Sequence, residues 1–172
     1  MKDSKSKNSS SFFLLDAHAP ERHDALMESE TPLPGNAFAT RTQVMFYDTD
    51  CGGVVHNLAY LRWIEECRTK LATHEGIDYA AMASEDLYTV LVRHEIDYVF
   101  PAMLADEIET RGCIDEVEKA SLWFRFEVRR VYDNRLCVKA RQRLALVSMP
   151  SGRPQRIPSA WRKKAAGNPP RQ

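Results

Sequence analysis

Two carboxylates, a glycine pair and a histidine crowd into the fourteen residues Tyr47-Asp48-Thr49-Asp50-Cys51-Gly52-Gly53-Val54-Val55-His56-Asn57-Leu58-Ala59-Tyr60. Gly52 and Gly53 let the backbone turn tightly and approach a ligand closely. A helix beginning near Asn57 would present unpaired N–H groups and the positive end of its dipole, a setting suited to an oxyanion. Asp50, just ahead of the turn, could then face a carbonyl whose oxygen those donors hold, as nucleophile or as general base on water. Acyl transfer to water is the chemistry this arrangement suggests. Asp before Gly-Gly also suits a plain turn in which Asp48 or Asp50 only caps the loop.

The flanking elements must position that segment. Apolar residues at Tyr60, Leu61, Ile64, Cys67, Leu71 and Ala72 follow helical spacing, which predicts a long amphipathic helix from Tyr60 to Glu75. Glu66 precedes Lys70 by one helical turn, and Gly76 stands where a left-handed residue closes a helix. A short second helix is expected from Asp78 to Ser84.

After it the period becomes two. Tyr88, Val90, Val92, His94, Ile96 and Tyr98 alternate with Thr89, Leu91, Arg93, Glu95 and Asp97 until Pro101 ends the run. Glu107 to Glu116 reads as a weaker strand, with Gly112 marking a bulge or a close approach. Leu122 to Val128 and Leu136 to Val147 make a hairpin around Asp133 and Asn134. With a strand at Thr42 to Tyr47 in front, the order is strand, long helix, four strands. That order predicts an α+β fold, an antiparallel sheet with one helix across it.

Composition narrows the function classes. The 172 residues are 44% hydrophobic, with 24 basic and 24 acidic side chains and no net charge, so no global field gathers nucleic acid or anionic lipid. No run approaches the roughly 20 apolar residues that span a bilayer, and Phe12 to Leu15 is shorter than a signal peptide's apolar stretch of about 7–15 residues. A soluble, cytoplasmic protein is expected. Cys51, Cys67, Cys113 and Cys137 are scattered and form no C-x-x-C pair, so reduced thiols are expected and no metal site. Residues 1–38 read as a disordered, dispensable N-terminal tail, 39–149 as the folded domain, and 150–172 as an extended basic C-terminal arm.

The run from Tyr47 to Tyr60, continued by Leu61-Arg62-Trp63-Ile64-Glu65-Glu66-Cys67-Arg68, closely resembles the signature of acyl-CoA thioesterases of the 4-hydroxybenzoyl-CoA thioesterase type. The D-T-D-x-G-G-V-V run, the later tyrosine and the helical E-x-x-R fall in register, and Tyr98-Val99-Phe100-Pro101-Ala102 is similar to the family's Y-x-x-P-A. The resemblance implies a hotdog fold, a long helix wrapped by an antiparallel sheet. It implies that Asp50 is the catalytic aspartate and that the backbone N–H of Asn57 bonds the thioester oxygen. It also implies that Gly52, Gly53, Val54, Val55 and Tyr60 contact substrate and that the pocket lies between subunits of a homodimer or homotetramer. The substrate would be an acyl-CoA or acyl-carrier-protein thioester, with no cofactor and no metal.

Related hydrolases often place a histidine where this chain has Asn57, whereas His56 stands one residue earlier. Either His56 takes over that role, or no histidine is required and Asn57 supplies its amide. The second alternative is the expectation, and under it removal of His56 costs less than about tenfold in turnover. Tyr60 and Trp63 read as packing on the sheet or a partner subunit rather than as stacking on adenine. His94 reads as a satisfied core histidine. Cys51, with no cation beside it, reads as a small filler rather than a nucleophile, and the basic arm reads as solvated rather than as a phosphate clamp. The rival from another class is a non-catalytic acyl-CoA-binding hotdog module, which would have no use for a carboxylate at Asp50. A hotdog dehydratase is disfavoured by the D-T-D-x-G-G setting.

Overall fold

Alternating apolar residues become strands because one face of each can be buried while the other stays charged. In the computed structural model, which describes residues 33–35 and 37–165, β1 (Phe38–Gln43), β2 (Leu87–Tyr98), β3 (Glu107–Val117), β4 (Ser121–Arg130) and β5 (Leu136–Ser148) form one antiparallel sheet. Their order is β1-β3-β4-β5-β2. Between β1 and β2 runs the long helix α1 (Asn57–His74), followed by the short α2 (Tyr79–Ser84). The α+β expectation therefore holds, with all five strands and both helices found. The tail expected over residues 1–38 lies mostly outside the described residues. Its last part does not behave as a tail: Leu33 is buried, Arg111 donates to the carbonyl of Pro34, and Phe38 begins β1.

One face of the sheet receives α1. Ile108, Leu122, Phe124, Phe126, Val128 and Val138 meet Tyr60, Trp63, Ile64, Cys67 and Leu71 in a single core. Gly112 permits the close approach its type suggested, since a Cβ there would lie 2.7 Å from the Phe126 ring. The register irregularity in this hairpin falls instead between Ile114 and Glu116. The outer face carries ion pairs, among them Asp115 with Arg125 and Arg141, and Glu118 with Arg143.

α1 begins three residues before its apolar period does, because Asn57 and Leu58 are exposed and add nothing to the pattern. Gly76 (φ +74°) closes it in the left-handed conformation, and Glu66 pairs with Lys70 at 2.6 Å. The first strand, expected over Thr42 to Tyr47, runs instead over Phe38–Gln43. Val44 turns its backbone to Asp106 and Ala105, and Phe46–Asp48 winds into a 3₁₀ turn.

In β2 the uniform alternation is corrected by a bulge between Leu91 and Arg93. Leu91, His94, Ile96 and Tyr98 oppose Leu144, Gln142, Ala140 and Val138 of the helix-facing side, while Tyr88 and Val90 point outward with Ala145 and Val147 of β5. His94 faces the helix as expected, but its buried Nε2 has no hydrogen-bond partner among the described residues. Burial and the Arg68 charge lower its pKa.

The extended C-terminal arm is also corrected. Pro154 bridges Val147, Gln155 N–H donates to the Leu146 carbonyl, and Ile157 is only 2% exposed. Helix α3 (Ser159–Ala165) follows, and Arg162 donates to the carbonyls of Glu118 and Lys119 in the β3–β4 turn. The isolated isoleucine in a proline-rich basic stretch is the apolar anchor of this strap. Ile157→Ala should cost about 2–5 kcal/mol, read as a lower midpoint in urea unfolding with unchanged slope. A shift of zero would mean that the strap does not dock.

Candidate active site

The segment before α1 is a hairpin closed by its own backbone. Gly53 N–H donates to the Asp50 carbonyl (3.0 Å), Asp50 N–H to the Val54 carbonyl (2.9 Å), Thr49 bridges Val55, and His56 N–H donates to the Asp48 carbonyl (2.9 Å). Asp48 and His56 thus close the base. Asp50 lies two residues up one arm, and Asn57 follows directly from the other. This folding brings the two principal candidates to one end of α1.

At the tip, Gly52 N–H donates to Asp50 Oδ1 (2.8 Å), which orients an exposed carboxylate. No described residue donates to Oδ2. Gly52 has to be small, since a Cβ there would stand 3.1 Å from Asp50 Oδ1. Gly53 has φ +76°, a left-handed conformation in which any side chain is strained. Cys51 is exposed, so it fills no gap.

At the helix start, His56 is the N-cap: its Nδ1 accepts from Ala59 N–H (3.1 Å). The backbone N–H of Asn57 has no acceptor among the described residues and sits in the first turn, where the dipole is positive. His56 Nε2 reaches the Tyr47 carbonyl (3.2 Å). Both ring nitrogens of His56 are therefore committed to the backbone rather than free for chemistry.

The sequence named Asp48 only as a possible loop cap and passed over Arg62. Asp48 is 1% exposed; its Oδ2 accepts from Met45 N–H (2.9 Å) and its Oδ1 from Arg62, whose guanidinium also lies 5.4 Å from the Tyr47 ring centre. An acidic side chain at the third position of a helical turn, reaching back to the N–H at its start, is one half of a capping box. Ala102, which the sequence marks only as the end of the Y-x-x-P-A run, is a second residue outside the expected site. It accepts from Val55 N–H (2.9 Å) and donates to Tyr60 Oη (2.9 Å), tying the Y-x-x-P-A segment to both loop and helix.

Two of the residues expected at the substrate are buried. Val55 and Tyr60 are 6% and 3% exposed and belong to the core. Burial pushes the Tyr60 hydroxyl up to about 12, against the opposing bond from Ala102, so it remains a protonated structural group. Gly52 and Gly53 stay exposed and Val54 half-buried beside Asp50. Met45, Phe46, Tyr47 and Leu58, which flank the hairpin along the chain, and Met103, which bridges Val54, are all more than 40% exposed.

The profile of the Thioesterase-like superfamily matches residues 44–165. A putative esterase of Aquifex aeolicus (strain VF5) is 31% identical over 91 residues, 53% of this chain and 71% of its own length. The acyl-CoA thioesterase YbgC of Haemophilus influenzae is 30% identical over 124 residues, 72% of this chain and 90% of its own. Among solved structures, the 1,4-dihydroxy-2-naphthoyl-CoA thioesterase Slr0204 of Synechocystis superposes with a TM-score of 0.70 at 21% identity, covering 77% of this chain and 97% of that one. A long helix laid across an antiparallel sheet, entered through a D-T-D-x-G-G hairpin, defines a hotdog-fold thioesterase. The chain belongs to the Thioesterase-like superfamily.

The strained glycine gives this geometry a direct check. Gly53→Ala meets open space but must hold a left-handed backbone, so it should cost about 1–2 kcal/mol in urea unfolding and lower turnover as the hairpin tip shifts. An unchanged unfolding midpoint would mean that the turn relaxes without strain.

Proposed function

We propose that this thioesterase hydrolyses acyl-CoA thioesters to the free acid and coenzyme A, with Asp50 as the reacting carboxylate. One observation carries the reading: Asp50 is oriented by Gly52 N–H at the hairpin tip while the Asn57 N–H at the start of α1 has no acceptor among the described residues. Acyl-CoA as substrate is supported by the names of the Haemophilus and Synechocystis proteins. An acyl-carrier-protein thioester presents the same carbonyl and the same thiol, and the site chemistry serves it equally.

The thioester oxygen accepts from Asn57 N–H, where the helix dipole favours the charge that develops on it. Asp50 takes a proton from water as the water oxygen bonds to the carbonyl carbon. Collapse of the adduct breaks the C–S bond, and the proton on Asp50 passes to the leaving thiolate. In the nucleophilic version an Asp50 oxygen itself bonds the carbonyl carbon and expels the thiolate, and water then cleaves the mixed anhydride. Both versions need the same negative oxygen, and neither requires a metal. A binding module without turnover would leave that charge unused.

Asp50→Asn keeps the volume and the acceptor for Gly52 N–H but loses the charge. Its kcat should fall about a hundredfold to ten-thousandfold, with the melting temperature nearly unchanged. The assay is release of free thiol from benzoyl-CoA and octanoyl-CoA; near-native turnover by the folded variant would contradict the mechanism.

The working form is proposed to be at least a homodimer. Among the described residues β2 pairs with β5 on one edge only, and Tyr88, Val90, Leu91, Val92 and Tyr98 are each at least 39% exposed along it. A second copy adding its own β2 would continue the sheet, satisfy the free edge and cover that apolar surface. Sedimentation at micromolar concentration should show no dominant monomer, and an active monomer would overturn the proposal.

A further inference from the structure

We propose that His56 is a positioning residue: a neutral imidazole, protonated at Nε2, that sets the direction of the Asn57 N–H. The inference rests on the reading of Asp50 and Asn57 given above. Nδ1 accepts the Ala59 N–H at 3.1 Å, so Nδ1 carries no proton, and the proton of the neutral ring is on Nε2, facing the Tyr47 carbonyl at 3.2 Å. The residue's own N–H reaches the Asp48 carbonyl at 2.9 Å. With the His56 carbonyl, which also accepts from Ala59 N–H at 3.0 Å, four bonds tie one residue to the 3₁₀ turn on one side and to α1 on the other. The 3₁₀ turn is itself fixed, because buried Asp48 holds Met45 N–H and Arg62.

The donor N–H belongs to the peptide unit that joins His56 to Asn57, so rotation about the His56 ψ angle, now 152°, swings it directly. With both ring nitrogens engaged, no lone pair or proton of His56 is left to serve the substrate. This replaces both options for His56, as base or as dispensable loop residue, with a third. An asparagine at the cap reproduces the Nδ1 end of the latch, since its side-chain oxygen accepts from the same N–H. A glutamine, one methylene longer, is a poor cap.

The experiment compares His56→Ala, His56→Asn and His56→Gln with wild type on benzoyl-CoA and octanoyl-CoA, below the onset of unfolding of each variant by circular dichroism. Asp50→Asn is run beside them. The expected result is a fall in kcat of roughly tenfold to a hundredfold for His56→Ala, the size expected for a misplaced donor, with KM within about twofold. His56→Asn should recover most of that loss and His56→Gln should not. Should His56→Ala fail to fold, the contrast of Asn with Gln decides alone. A kcat for His56→Ala within about twofold of wild type overturns the inference. So does a folded His56→Asn as impaired as His56→Gln, which would assign the imidazole a chemical role. Full activity of Asp50→Asn would instead remove the reading of the site itself.

Discussion

The closure of the hairpin by Asp48 and His56 is the constraint on which the chemistry depends. A carboxylate only 1% exposed costs several kcal/mol unless its oxygens are satisfied, and Asp48 is satisfied by Met45 N–H and Arg62. Its carbonyl then accepts from His56 N–H. One buried residue thus joins the 3₁₀ turn, the hairpin and the first turn of α1 into a single body. Asp50 and the Asn57 N–H ride on that body. Neither has to be buried, so both can meet a substrate.

The sheet contributes rigidity from behind. Tyr60 extends from α1 to Ala102, whose carbonyl in turn holds Val55, so the end of β2 is fastened to the loop through a buried hydroxyl. Burial also pushes the thiols of Cys67 and Cys137 up to about 11, which keeps both as packing groups rather than nucleophiles. At the far end of the sheet the docked strap performs a comparable service, with Ile157 inserted in the core and Arg162 closing the β3–β4 turn.

Much of this was legible in residue types and spacing, for identifiable reasons. Leu122, Phe124, Phe126 and Val128 alternate because one sheet face is buried, and Ile64, Cys67 and Leu71 recur at helical spacing because one helix face is. Asp50 stood out because glycines and a helix start follow it. Features set by tertiary contact left no periodic trace. The β2 bulge depends on pairing with β5, so Val90 and Ile96 fall on opposite faces despite their even spacing. Tyr60 reads as a ligand contact until Ala102 is seen to claim its hydroxyl. Ile157 is one apolar residue among prolines and arginines, too little for a period and enough for an anchor. The sequence leaves His56 between a displaced catalytic residue and a dispensable one, whereas the bonds of its ring to the backbone make it a cap.

In the proposed mechanism the thioester carbonyl lies between the Asp50 carboxylate and a helix N-terminal N–H that is directed at its oxygen. The isotope-edited infrared carbonyl stretch of benzoyl-CoA bound to Asp50→Asn reads that contact directly, because this variant keeps the donor and is expected to slow turnover. A bond from Asn57 N–H polarises the carbonyl and lowers its stretching frequency relative to the ester free in water. The shift to lower frequency is the predicted result. A bound ester whose carbonyl absorbs at or above the aqueous frequency would contradict the placement of the oxygen at the start of α1.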